Sequence, residues 1–232
     1  MREIVFDTET TGLSPLNGDR IVEIGCVELI NRCETGRFFH SYFNPGRPMP
    51  TEAEAVHGLS DRFLSDKPAF ADVSGQLIDF IGDSPMIAHN AAFDFGFINH
   101  ELGTCGRPSV CTSRMVCTLV LARHKFPGAK HSLDALCTRF GVDRSQRIKH
   151  GALLDAQLLA QVYVELTGGR QIGLTLVAEL VDAGPACDSP VGIAAPQELT
   201  VRPARPHAPS EEELARHAAF LATIRDPIWN RL

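Results

Sequence analysis

The sequence has no excess of basic residues: 22 lysines and arginines stand against 28 aspartates and glutamates, a formal net charge of −6. That balance excludes a protein that grips nucleic acid through its phosphates alone. Any such ligand has to be held locally, by metals and a few donors, or be delivered by a partner. A long apolar run is also missing. The opening stretch Ile4-Val5-Phe6 meets Asp7 at once. It is too short for a signal peptide, and nothing later approaches a membrane span. The seven cysteines are an odd number without an export signal. They argue against a disulfide framework and for reduced thiols in a cytoplasm. Cys105, Cys111 and Cys117 do not have the spacing of a zinc site. No internal repeat is visible.

What is present is an apolar content of 44% in 232 residues, enough for one sizeable core plus a tail. Residues 3–6 read as a buried strand, 19–31 as a second and 37–43 as a third, ended by the turn cluster Asn44-Pro45-Gly46. Such short connections favour an antiparallel meander. The pattern then changes to helix over 70–81, a short strand over 85–88, and helix again over 91–102, 115–124, 132–140 and 152–166. Gly168-Gly169 is a fitting stop for the last of these. The order predicts an α/β fold, a mixed sheet flanked by helices.

From Asp182 to Pro209 the composition shifts. Pro185, Pro190, Pro196, Pro203, Pro206 and Pro209 all fall there, the mark of an extended, flexible linker. Ser210-Glu211-Glu212-Glu213 then forms a capping box ahead of a short helix. A globular part, 1–170, thus precedes a tethered tail: 171–181, a linker over 182–209, and a helical end over 210–232.

Acidic residues fall at predicted element ends. Asp7 and Glu9 leave the first strand on one side, because strand side chains alternate. Two carboxylates so placed repel unless a cation sits between them. His89-Asn90 makes a bend where Asn90 can cap the next helix, and Asp94 lies in that helix's first turn. Asp155 lies early in the helix that begins near Gly151. A five-residue offset does not share a helical face, so His150 has to reach any common site from the loop 141–149. Four carboxylates suit two hard divalent cations, Mg²⁺ or Mn²⁺. Two such ions can stabilise the attacking and leaving oxygens of phosphodiester cleavage, and a neutral His can deprotonate the attacking water.

Asp7, Glu9, Asp94 and the segment His150 to Asp155 resemble the pattern of the DEDDh exonuclease family. The likeness covers about residues 3–170. Phe6 to Gly12, Ile21 to Gly25, Val56 to Asp61, Phe126-Pro127-Gly128, Ser132 to Cys137 and His150 to Ala156 resemble its DNA polymerase III epsilon, or proofreading, branch. The resemblance implies a ribonuclease H-like fold and metal-dependent 3′→5′ exonuclease activity on single-stranded DNA 3′ ends. It implies Asp7, Glu9, Asp94 and Asp155 as metal ligands and His150 as general base. Around the terminal nucleotide it implies Thr10, Gly12, Leu13, Glu52, His57, His89, Asn90 and Phe93.

Gln171 to Leu176 is similar to a motif that binds the bacterial sliding clamp (beta). An extended peptide of this kind can set Leu174 and Leu176 in an apolar groove with the Gln171 amide at its rim. The end of the chain, from about 198 to 232, resembles the segment that docks on the polymerase (alpha) subunit. Its anchors would be Leu214, Phe220, Leu221 and Trp229, too few to make a core alone. No feature assigns a theta-like third subunit. The alternatives are a free-standing exoribonuclease or DNA exonuclease with the same chemistry, and a non-catalytic adaptor between clamp and polymerase. The adaptor would be expected to lack a ligand carboxylate, and all four are present.

Overall fold

The structure is a computed structural model that describes residues 1–147, 149–169 and 208–224. Three long strands, β1 (Arg2–Thr10), β2 (Ile21–Ile30) and β3 (Cys33–Tyr42), form the expected antiparallel meander. Asn31 and Arg32 both have positive φ, the geometry that closes a two-residue hairpin between β2 and β3. Short helices α1 (Thr51–His57) and α2 (Asp61–Leu64) follow, then α3 (Phe70–Ile81), β4 (Met86–Ala88) and α4 (Ala91–Thr104). The chain continues through β5 (Met115–Cys117), α5 (Thr118–Lys125), α6 (Leu133–Phe140) and α7 (Ala152–Leu166). The strand order is β3-β2-β1-β4-β5, with β4 and β5 parallel to β1. This is the mixed sheet flanked by helices.

Alternation along β1 sorts the layers. Ile4 and Phe6 face α3 and α4, where they pack with Leu77, Ile81, Phe95 and Phe97. Val5 faces the other way, toward Ala156, Leu159 and Ala160 of α7. Each fully buried large apolar side chain contributes about 1.5–3 kcal/mol. The sheet is therefore held on both faces, and its central strands cannot slip in register without exchanging the two cores. The buried Glu101 accepts two 2.7 Å bonds from the half-buried Arg20, which ties the start of β2 to α4.

The helix expected over 115–124 is corrected. Met115–Cys117 is strand, paired to Met86–Ala88, and helix begins only at Thr118. Three residues are too few to show a strand period, so a distant partner decides their conformation. The short helices α1 and α2 had no counterpart in the sequence reading. In the C-terminal unit, taken by itself, α8 (Glu211–Ala222) begins at the capping box read from sequence, with Ser210 Oγ accepting from the Glu213 amide. No helix among the described residues is long and apolar enough to cross a membrane.

Candidate active site

Asp7 and Glu9 leave β1 on the α7 face, next to each other across one pleat. Across the sheet Asp7 pairs with Gly25 and Glu9 with Glu23. Gly25 is what lets α7 lie close: a Cβ there would stand 2.3 Å from the Leu153 backbone nitrogen. Asp155, two residues further along α7, thereby arrives beside Asp7 and Glu9. Thr8 points to the opposite face, where its hydroxyl donates to Asp94 Oδ1 at 2.7 Å. Asp94 sits in the first turn of α4, near the positive end of the helix dipole. These four carboxylates line one cavity of about 370 Å³, together with His89, Phe93 and His150.

The cavity also has walls that the sequence reading missed: Thr8, Ser132, Leu133, Asp134 and Arg147. A basic residue three positions ahead of His150, in a loop facing acids, was the available signal for Arg147. Its Nε and Nη2 donate to the two Asp155 oxygens at 2.5 and 2.6 Å, and its Nη1 donates to Asp134 at 3.0 Å. His150 enters from the loop, as its offset required, with Nδ1 3.5 Å from Asp155 Oδ2.

Of the residues expected around a terminal nucleotide, only His89 and Phe93 line the cavity. Thr10 donates to the Gly12 carbonyl, and Gly12 lies against the Asp19 carboxylate. Leu13 is 85% exposed on the same loop. Glu52 is exposed on α1. His57 is buried, accepts the Leu59 amide on Nδ1, and has no partner for Nε2 among the described residues. Asn90 does not cap α4 with its side chain, a correction. It is instead in the left-handed region at φ 64°, which Asn tolerates and which turns β4 into the helix. Gln171, Leu174, Leu176 and Trp229 lie outside the described residues. On α8, Leu214 and Phe220 are exposed and Leu221 is half-buried.

Burial and mutual repulsion act on the acids together. Burial, then Asp94, Glu9 and Asp155, holds Asp7 well above the usual carboxylate range. Glu9 is pushed up to about 8, first by burial and then by Asp155 and Glu23. Burial raises Asp94 to about 7 against the lowering effect of the Thr8 hydroxyl. Burial lowers both His57 and His89. His89 Nδ1 bonds Thr118 Oγ1, which itself donates to the Ala88 carbonyl. The Thr118 oxygen therefore accepts from Nδ1–H, leaving the lone pair on Nε2.

The donor set fits divalent cations. The four candidate ligands offer only carboxylate oxygens, the preference of hard ions. Glu9 Oε1 is buried without a hydrogen-bond partner among the described residues, an orphan that a cation would satisfy. Ligand atoms of Glu9, His150 and Asp155 lie within 4.8 Å of one another.

Comparison with known proteins identifies the family and the fold. An exonuclease family model matches residues 4–163. DNA polymerase III subunit epsilon of Rickettsia felis is 48% identical over 227 residues, covering 97% of each chain. A structure of Exonuclease X in complex with 5′ overhanging duplex DNA is 28% identical, with a TM-score of 0.56 over 71% of this chain and 90% of that one. The nuclease domain of 3′hExo, a DEDDh family member bound to rAMP, is 17% identical. It shares the fold at a TM-score of 0.62, over 71% of this chain and 90% of that one.

Proposed function

We propose a proofreading function, proceeding from the fact that this chain belongs to the exonuclease family and, within it, to the DNA polymerase III epsilon subunits. The chain removes mispaired nucleotides from DNA 3′ ends by hydrolysis. The observation that carries this reading is the convergence on one open cavity of four carboxylates from β1, α4 and α7, with Glu9, Asp94 and Asp155 buried and Asp7 half-buried. The family is metal-dependent in general. Here Asp7, Glu9, Asp94 and Asp155 would hold two divalent cations, Mg²⁺ or Mn²⁺. When bound, such ions supply the positive charge that stabilises the attacking and leaving oxygens of phosphodiester cleavage.

The chain's own residues do the rest. Thr8 orients Asp94 by donating to its Oδ1, at the wall of the cavity. A neutral His150 ring nitrogen takes the proton of the attacking water as its oxygen bonds to phosphorus. The bond to the 3′ oxygen of the penultimate nucleotide breaks, that oxygen takes a proton from solvent, and a nucleoside 5′-monophosphate leaves. Phe93 and His89 bound the cavity where the terminal nucleotide would lie. Thr10, Gly12, Leu13, Glu52, His57 and Asn90 would act at its rim. The negative net charge favours a frayed single strand over firmly held duplex.

Association with polymerase III is expected to run through the tail. The exposed Leu214 and Phe220 on α8 support docking of the C-terminal segment on the alpha subunit, and Gln171 to Leu176 would engage the clamp. The experiment is shortening of a 5′-labelled oligonucleotide with Mg²⁺ or Mn²⁺, for the parent chain and for Asp7→Ala and Asp155→Ala. Both variants are expected to fold and to release no nucleotide. Hydrolysis that persists in excess chelator would remove the metal reading.

A further inference from the structure

Two kinds of cation compete for the same oxygens in this cavity. The Arg147 guanidinium spans both oxygens of Asp155, at 2.5 and 2.6 Å, as a planar fork. Its third nitrogen reaches Asp134 at 3.0 Å, and Nη2 also lies 3.1 Å from His150 Nδ1. The side chain is only 10% exposed, whereas its loop neighbour Arg144 is 48% exposed. A guanidinium does not give up its proton in proteins, so Arg147 cannot leave the site by becoming neutral. It has to move. A divalent ion that takes the Asp155 lone pairs facing the fork displaces Arg147, and the two positive charges repel at that distance.

The same side chain engages the base. A ring nitrogen that accepts a hydrogen bond from a guanidinium has its lone pair committed, and cannot take a proton from water at the same time. Resting on the reading that Asp155 is a metal ligand, we propose that Arg147 is the positioning residue that exchanges with the metal. Its guanidinium holds Asp155 and His150 until a divalent ion claims those oxygens, and its departure frees the His150 lone pair. Metal loading and release of the base are then one event. The link is physical: Asp155 and His150 share the Nη2 of one guanidinium, and the loop that carries Arg147 also carries His150.

The test is a Mn²⁺ titration of the full-length protein, reading free Mn²⁺ by electron paramagnetic resonance, for the parent, Arg147→Gln and Arg147→Lys. Losing the competitor should tighten Mn²⁺ binding about tenfold or more in Arg147→Gln, because a charged hydrogen bond is on the scale of one such decade. Arg147→Lys, which keeps the charge but not the fork, should fall between. Equal or weaker binding by Arg147→Gln would overturn the exchange. Absence of binding by the parent would instead overturn the metal reading beneath it. Trypsin cleavage of the parent gives a second measurement that needs no variant. Cleavage after Arg147 should be faster with Mg²⁺ than in excess chelator, relative to cleavage after Arg144. An equal or slower relative rate would contradict release of the side chain.

Discussion

Replacing Gly25 by alanine would place a methyl group where α7 already runs. The new Cβ would stand 2.3 Å from the Leu153 nitrogen and Cα, and 2.5 Å from the Ala152 carbonyl carbon. All three are backbone atoms, so no side-chain rotation relieves the overlap. Ordinary contact begins at 3.4 Å, and the start of α7 must therefore withdraw by about 1 Å. Asp155 rides on that turn, while Asp7 is fixed opposite Gly25 in the sheet. The two carboxylates would separate by about the same distance. Overpacking of this kind costs about 1–3 kcal/mol in stability. A displacement of about 1 Å among reacting groups costs about 10²-fold in rate. The expected result is a folded protein with a lowered Tm and kcat/KM down about a hundredfold on a mispaired primer. Gly96→Ala is the control: Gly96 lies inside α4 with open space around its Cβ position, and alanine there should stabilise by about 0.5–1 kcal/mol. Gly25→Ala with parental Tm and activity would refute the claim that α7 is seated on that glycine.

Three further outcomes follow from the same geometry. His150→Ala should lose about 10²–10⁴-fold in kcat while Mn²⁺ still binds, and near-parental turnover would remove His150 as the base. In excess chelator, stability should fall as pH rises from about 5 to 8. Glu9 at about 8 and Asp94 at about 7 keep protons in the fold that the unfolded chain has already lost, so the folded state binds more protons across that window. The lowered His57 and His89 act in the opposite sense, so the decisive comparison is Glu9→Gln, whose pH slope should be shallower; an unchanged slope would contradict the assignment. Truncation after residue 180 should leave turnover on short single strands nearly unchanged and abolish polymerase binding in a pull-down, whereas Gln171→Ala with Leu174→Ala should weaken only clamp binding. A truncated chain that still captured polymerase would show that the tail is not the docking element.

The parts of this architecture that repeat over many residues were legible in the sequence. The helices over 70–81 and 152–166 have the bounds observed for α3 and α7, because each presents apolar residues over three or more turns. The pairing of Asp7 with Glu9 followed from strand alternation, and the approach of His150 from a loop followed from helical rotation. What escaped was set by tertiary partners. Met115–Cys117 became strand because β4 lies beside it. Asn90 turned the chain through its backbone rather than its side chain. Arg147 could be seen as a basic residue near acids, but not as a fork on Asp155, since that contact depends on how the loop folds back over α7.

The central claim is hydrolysis from a DNA 3′ end within the carboxylate cavity. Its most direct test is single-turnover hydrolysis by the purified chain of two 5′-labelled duplexes that differ only in a matched or mispaired 3′ terminus, with product identification. The expected result is stepwise 3′ shortening with release of nucleoside 5′-monophosphates, faster from the mispaired end because less unpairing is required, and none from Asp7→Ala. Equal rates on the two termini would contradict the proofreading reading. Shortening by Asp7→Ala would contradict the site itself.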